Sequence, residues 1–262
     1  MAKPLTEEQV NSGDFDQPPC PVKIKLIICS TPRSGSYLLC RAMIHHGIGV
    51  PHEYFNGINA STIGPRLGVG NVATPELEID GPARQAYIAA LLKHRTVNGV
   101  FAFKIQGGQL AQYFQRSGGN ALFQGAHYIY LYREDLLAQA VSFHVSLLTG
   151  RWGVGNTVTT QAVQNAQFFD NGLIENRLQI IADQDKEWRL FFARNGIFPL
   201  FISYETIKAD LPATLREIVA HTKIELPSLD FQYAEPAPPD FRGPGEPSKL
   251  EIKDNFLQSK KV

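Results

Sequence analysis

Val22-Lys-Ile-Lys-Leu-Ile-Ile-Cys29 runs directly into Ser30-Thr-Pro-Arg-Ser-Gly-Ser36, and Tyr37 opens the segment that follows. The first stretch is short, apolar and rich in β-branched residues, the composition of a buried strand. Pro32 and Gly35 break that pattern and make the second stretch a turn. From Tyr37 to His46 the apolar residues Leu38, Leu39, Met43 and Ile44 can share one helical face. A strand, a polar Gly-containing loop and a helix form the opening unit of a nucleotide-binding α/β domain.

Outward from this unit the same alternation repeats. Ala83 to His94 reads as a helix, Gly99-Val-Phe-Ala-Phe-Lys-Ile105 as a strand, and His127-Tyr-Ile-Tyr-Leu-Tyr132 as another strand that leads through Arg133 into a helix ending near Leu148. A long helix is expected over 176–195, with Gly196 as its C-terminal stop, then a strand over 198–204 and a helix over 211–222. Strands alternating with helices imply a three-layer α/β/α domain with a mainly parallel central sheet, as in P-loop NTPases. The domain is expected over residues 22–235. Residues 1–21, which end in a Pro-Pro-Cys-Pro run, read as a flexible lead-in, and 56–75 as an irregular exposed insertion. Residues 236–262 read as a tail that adds little core and is placed to close over the nucleotide.

Composition narrows the function. The chain has 262 residues with 44% hydrophobic and 19% charged, enough for a substantial core. Lys and Arg total 25, as do Asp and Glu, which lacks the basic excess of a general nucleic-acid binder. Cys20, Cys29 and Cys40 have no metal-ligand spacing, and Cys29 and Cys40 lie among apolar residues as core side chains do. No apolar run reaches the roughly 18 residues of a membrane helix, and the start MAKPLTEEQV lacks a signal-peptide pattern, so the expected compartment is the cytoplasm.

Ligands of open parallel sheets sit at the carboxyl ends of the strands. That places the chemistry at Arg33 to Ser36, Lys104 to Gly107, Arg133 and the vicinity of Tyr204. The loop before Tyr37 offers backbone N–H groups at a helix N-terminus, and Arg33 adds a planar fork of donors. Ser34 and Ser36 add hydroxyls, and Gly35 permits close approach of the backbone. Taken alone, the loop could equally be a strand-to-helix turn with Ser caps. It lacks the Gly-x-x-x-x-Gly-Lys-Ser/Thr spacing expected of a magnesium-dependent kinase. In the second block, Tyr130-Leu-Tyr-Arg133-Glu-Asp-Leu-Leu-Ala-Gln-Ala-Val-Ser142-Phe, an Arg leaves a strand and a Ser follows nine residues later on the next helix. By itself, Arg133 could instead pair with Glu134 or Asp135.

These blocks resemble the phosphate loops of sulfotransferases that use 3′-phosphoadenosine-5′-phosphosulfate (PAPS), and most closely the bacterial trehalose 2-sulfotransferase-like subfamily. Arg33 stands where many members have Lys. Val50-Pro-His-Glu53-Tyr-Phe55, Gly99-Val-Phe-Ala-Phe-Lys104 and the stretch from Ser142 to Trp152 resemble further segments of that subfamily. The resemblance implies a sulfotransferase fold and sulfuryl transfer from PAPS to a hydroxyl of a small acceptor, a carbohydrate or glycoside, with no metal required. It assigns Arg33, Ser34, Gly35, Ser36 and Tyr37 to the 5′-phosphosulfate, and Arg133 and Ser142 to the 3′-phosphate. It makes Glu53 the general base, with Arg33 and Lys104 neutralising developing charge. Tyr54 and Phe55 beside Glu53 suggest a carboxylate of raised pKa. His52 is the rival base. Glu53, His52, Phe55 and Trp152 are the expected acceptor contacts, and Arg242 is a further 3′-phosphate candidate. The subfamily also implies a homodimer, although no heptad marks an interface. A divergent nucleotide-dependent kinase and a non-catalytic binding protein of the same fold are the alternatives.

Overall fold

Alternation along the first strand sorts its side chains onto two faces, and the burial follows that period. The computed structural model describes residues 5–72, 81–114, 122–152, 165–232 and 246–260. Strand β1 (Ile24–Ser30) sends Leu26 and Ile28 to one core and Ile27 and Cys29 to the other, all fully buried. A strand buried on both faces is the mark of a three-layer domain. With β2 (Thr96–Val97), β3 (Val100–Gln106), β4 (His127–Tyr132) and β5 (Leu200–Ser203) it forms a five-stranded sheet in the order β2-β3-β1-β4-β5. β3, β1, β4 and β5 run parallel, and only the two-residue β2 pairs antiparallel at the edge.

Helix α1 (Glu7–Asn11) precedes the sheet, and α2 (Ser36–His45), α3 (Gly57–Arg66) and α4 (Pro82–His94) link β1 to β2. α5 (Leu136–Thr149) and α6 (Asn171–Asn195) link β4 to β5, and α7 (Tyr204–Ala209), α8 (Leu211–Thr222) and α9 (Lys249–Ser259) follow. α2 and α8 cover the Leu26/Ile28 face through Leu39, Met43, Leu215 and Ile218. The opposite face is an aromatic core of Phe55, Tyr87, Phe101, Phe103 and Trp188. The chain leaves β1 toward β3 and then crosses to β4 on the other side of β1. The crevice at this switch lies beyond Ser30 and Tyr132, where the first strand loop meets Arg133.

Four expectations change. Residues 56–75 are not all irregular: Asn56 caps α3 by accepting from Ile58 N–H at 3.0 Å, and Ala60, Ile63 and Gly64 bury one face at helical spacing. The long helix begins at Asn171, because Asp170 accepts from Leu173 N–H at 2.9 Å, and it stops where Gly196 turns left-handed at φ 62°. The lead-in expected to be flexible is docked from residue 5 onward. Arg95, fully buried, donates to the carbonyls of Val10 and Ser12 and pairs with Asp16. The tail contributes core after all: Ser248 and Glu251 form a capping box, and Ile252 and Phe256, four residues apart, pack against Val141 and Ile174.

Candidate active site

Arg33 occupies the left-handed region at φ 66°, a conformation that costs a residue with a Cβ about 1–2 kcal/mol. Surrounding side chains hold the loop in place. Gln139, buried in α5, donates through Nε2 to Thr31 Oγ1 at 2.8 Å and to the Pro32 carbonyl at 2.7 Å. Ser34, fully buried, donates to the Thr31 carbonyl, and Trp188 Nε1 donates to the Ser30 carbonyl at 2.9 Å. Gly35 follows at φ 87°, and a Cβ there would lie 2.6 Å from the Tyr204 ring. Both the backbone and the packed ring therefore require glycine.

The loop aims Arg33 across the switch at α5. Its Nε donates to Ser142 Oγ at 3.1 Å, and Nη1 donates to the Trp152 carbonyl. Lys249, at the start of α9, places Nζ 3.2 Å from the same Ser142 oxygen. Arg133 leaves β4 with its guanidinium 4.6 Å from the centre of the Tyr204 ring. Among the described residues its buried Nε has no hydrogen-bond partner and only a long ion pair with Glu205 at 3.7 Å. Burial and the neighbouring Arg133 lower the pKa of Arg33, although Tyr37 and Tyr204 act in the opposite direction. Desolvation and the guanidinia of Arg33, Arg133 and Arg151 push Lys249 down to about 8. A crowd of cations with an orphaned donor fits a multiply charged anion.

A second centre lies beside it, at the end of β3. The Lys104 backbone N–H donates to the His52 carbonyl at 2.9 Å, so the extended 50–53 segment lies along the outer side of β3. This brings Lys104 Nζ within 2.7 Å of Glu53 Oε2. The ammonium also stands 4.1 Å from the centre of the Tyr37 ring, four residues after Arg33. Burial alone would lower the pKa of Lys104, but Glu53 and Tyr37 outweigh it and raise the value. Gln109 donates to Glu53 Oε1 at 2.9 Å while its Oε1 accepts from Gln106 N–H. Both carboxylate oxygens are therefore held, and neither is sealed in: the Glu53 side chain keeps 13% of its exposure.

Placement corrects part of the expected acceptor surface. Tyr54 and Phe55 point into the aromatic core and are fully buried, so the Glu53 carboxylate meets an ammonium and an amide rather than aromatic rings. Phe55 touches Tyr87, Phe103 and Phe114, where an acceptor would have to open the core to reach it. His52 is also buried, and its Nε2 lies 2.8 Å from Asn11 Oδ1 of α1. Burial first, then Lys104 and Arg95, lower its pKa to about 3. Trp152 is half-buried beside Phe143. Ser36 begins α2 and is buried, and Tyr37 donates to Glu7 at 2.7 Å. Arg242 lies outside the described residues.

Sequence reading passed over Gln109, Gln139, Glu7 and Lys249. Gln106-Gly-Gly-Gln109 carries a capping-box spacing that marks Gln109 as structured, but not its reach to Glu53. Among the described residues, no group of three or more His, Cys, Asp or Glu is arranged to hold a metal, and no helix is long and apolar enough to cross a membrane.

The Stf0 sulphotransferase family model matches residues 25–236. The chain is 27% identical over 223 residues to a trehalose 2-sulfotransferase of Mycobacterium tuberculosis, a match spanning 74% of this chain and 82% of that protein. A trehalose 2-sulfotransferase of Mycolicibacterium smegmatis is 23% identical over 209 residues, spanning 68% and 76%. The sulfotransferase domain of an olefin synthase from Synechococcus PCC 7002 aligns over 94% of this chain and 90% of its own, with a TM-score of 0.42 and 17% identity.

Proposed function

This chain belongs to the Stf0 sulphotransferase family, and on that premise we propose that it moves a sulfuryl group from PAPS to a hydroxyl of a small carbohydrate or glycoside. The observation that carries the reading is the juxtaposition of the two centres. An under-neutralised cation cluster converges on Ser142, and the Glu53–Lys104 pair adjoins it through Tyr37.

The donor supplies a sulfuryl group on a phosphate leaving group. Arg133, with its orphaned Nε, and Ser142 would hold a 3′-phosphate, the group that separates this donor from ATP. Arg33 and the N-terminal N–H groups of α2 would hold the 5′ side. Glu53 takes the proton of the acceptor hydroxyl as its oxygen bonds to sulfur and the sulfur–phosphate bridge breaks. Lys104, 2.7 Å from Glu53, orients the carboxylate and offers positive charge to the oxygens that gain negative charge. The sequence resemblance left His52 open as the base. Its buried ring and its contact with Asn11 support Glu53 instead. The trehalose 2-sulfotransferases among its relatives support a disaccharide as the first acceptor to try.

Calorimetric titration with 3′-phosphoadenosine-5′-phosphate (PAP), beside magnesium-ATP, tests the donor. Tight binding of PAP with none of magnesium-ATP is expected, followed by mass-spectrometric detection of one added sulfuryl group in a disaccharide panel supplied with PAPS. Preference for magnesium-ATP would make the protein a divergent kinase. Binding of neither would leave a non-catalytic fold.

A further inference from the structure

The family match ends at residue 236, and α9 begins thirteen residues later at Lys249. The helix is fixed against α5 at several points. Ile252 and Phe256 pack on Val141 and Ile174, Lys253 bonds to Asp135 at the α5 N-cap, and Glu246 pairs with Arg151 just after α5. Further along, Lys260 pairs with Glu175. Each of these basic residues meets a carboxylate. Lys249 does not: among the described residues its ammonium bonds only to the Ser142 hydroxyl, which Arg33 also reaches. The residue is exposed overall, yet its ammonium lies among three guanidinia. Among the described residues Arg151 pairs with Glu246 and Arg133 lies 3.7 Å from Glu205, whereas Arg33 and Lys249 meet no carboxylate, an arrangement an arriving anion would relieve.

We propose that Lys249 is a ligand of the phosphate that Ser142 receives, supplied by the C-terminal helix from beyond the matched family region. The proposal rests on the PAPS reading above and adds a residue that no resemblance assigned. In consequence, discrimination for the 3′-phosphate depends on α9 being docked, and α9 couples the C-terminal segment to donor binding.

Calorimetry with PAP and with adenosine 5′-phosphate, which lacks the 3′-phosphate, tests it on the full chain. Lys249→Ala should weaken PAP about tenfold, the loss of one charge-assisted hydrogen bond, and leave adenosine 5′-phosphate unchanged. Lys249→Arg should keep PAP affinity. Because the residue is exposed overall and its ammonium is repelled by its neighbours, Lys249→Ala should not lower the melting temperature of the ligand-free protein. A merely structural Lys249 would lower it. The charged groups facing the ammonium are Arg33, Arg133 and Arg151, with Glu246 engaged by Arg151 and Glu205 near Arg133. The guanidinia stay charged through pH 10. Wild-type PAP affinity should therefore fall as pH rises through about 8, and the Arg variant should stay flat. Unchanged PAP affinity in Lys249→Ala, or equal losses for both nucleotides, would overturn the proposal while the donor assignment stands. Failure of the wild-type protein to bind PAP would overturn both.

Discussion

The cluster around Ser142 and the pair at Glu53 lie at neighbouring strand ends, yet they handle charge in opposite ways. At Ser142, cations face cations: burial and neighbouring charge lower the pKa of both Arg33 and Lys249, and among the described residues the Arg133 Nε has no hydrogen bond. At Glu53, each charge has its opposite. Lys104 is as deeply buried as any cation in the site, but the adjacent carboxylate and Tyr37 raise its pKa. The first arrangement is incomplete without an anion. The second is already balanced, and what it can receive is a neutral group with a proton to lose. A pair of substrates for one direct displacement, an anionic donor and a hydroxylic acceptor, fits the two halves in that order.

Removing the carboxylate should separate the halves most sharply. Glu53→Gln keeps the shape and the contact to Gln109 but removes the proton acceptor, so kcat should fall about 10²–10⁴-fold. PAP affinity, which belongs to the other half, should not change. Steady-state kinetics beside calorimetry reads both. Near-normal turnover would pass the proton to His52 or to water. The complementary cut is Arg133→Ala. It should weaken PAP about 10–100-fold, as expected for loss of charge-assisted hydrogen bonds, and weaken adenosine 5′-phosphosulfate far less. Equal losses for the two ligands would remove Arg133 from the 3′-phosphate role.

The strands and the loop between them were legible because their signal is local. Leu26 to Cys29 had to be buried on both faces, and only a loop could hold Pro32 and Gly35. Arg33, Lys104 and Arg133 could be placed because each follows a strand end, whereas Ser142, inside α5, was singled out by the family resemblance. What stayed hidden depends on partners distant in sequence. α3 looked irregular because Gly, Asn, Ser, Thr and Pro make up most of it, yet Ala60 and Ile63 find a core to fill. The segment before β1 looked mobile because its few apolar residues show no periodicity and it ends in a Pro-Pro-Cys-Pro run. Its docking comes from Arg95, some eighty residues on, reaching its carbonyls. Phe55 reads as a site residue two positions after Glu53, but the chain turns at Tyr54 and Phe55, and this ring faces the core. Gln109 reaches Glu53 across 56 residues of chain, and Lys249 reaches Ser142 across 107. No local pattern encodes either contact.

The smallest expected effect sharpens the second half of the comparison by asking whether His52 can take up a proton at all. In the folded chain its pKa is depressed to about 3, by burial first and then by Lys104 and Arg95. In the unfolded chain an ordinary histidine titrates near 6.5. Between those values the unfolded state binds a proton that the native state refuses, so stability falls as pH drops from about 6.5 toward 3. At pH 5 the loss from this one residue should be about 2 kcal/mol. His46, His127 and His144 are also lowered, chiefly by burial, and add in the same direction. His52→Gln retains a donor for Asn11 and removes the titration. Urea unfolding at pH 7 and pH 5 should therefore show a smaller acid loss in the variant than in the wild type. Equal losses would mean that native His52 accepts a proton near neutrality. It would then compete with Glu53 for the acceptor's hydrogen, and the balanced centre would have two bases rather than one.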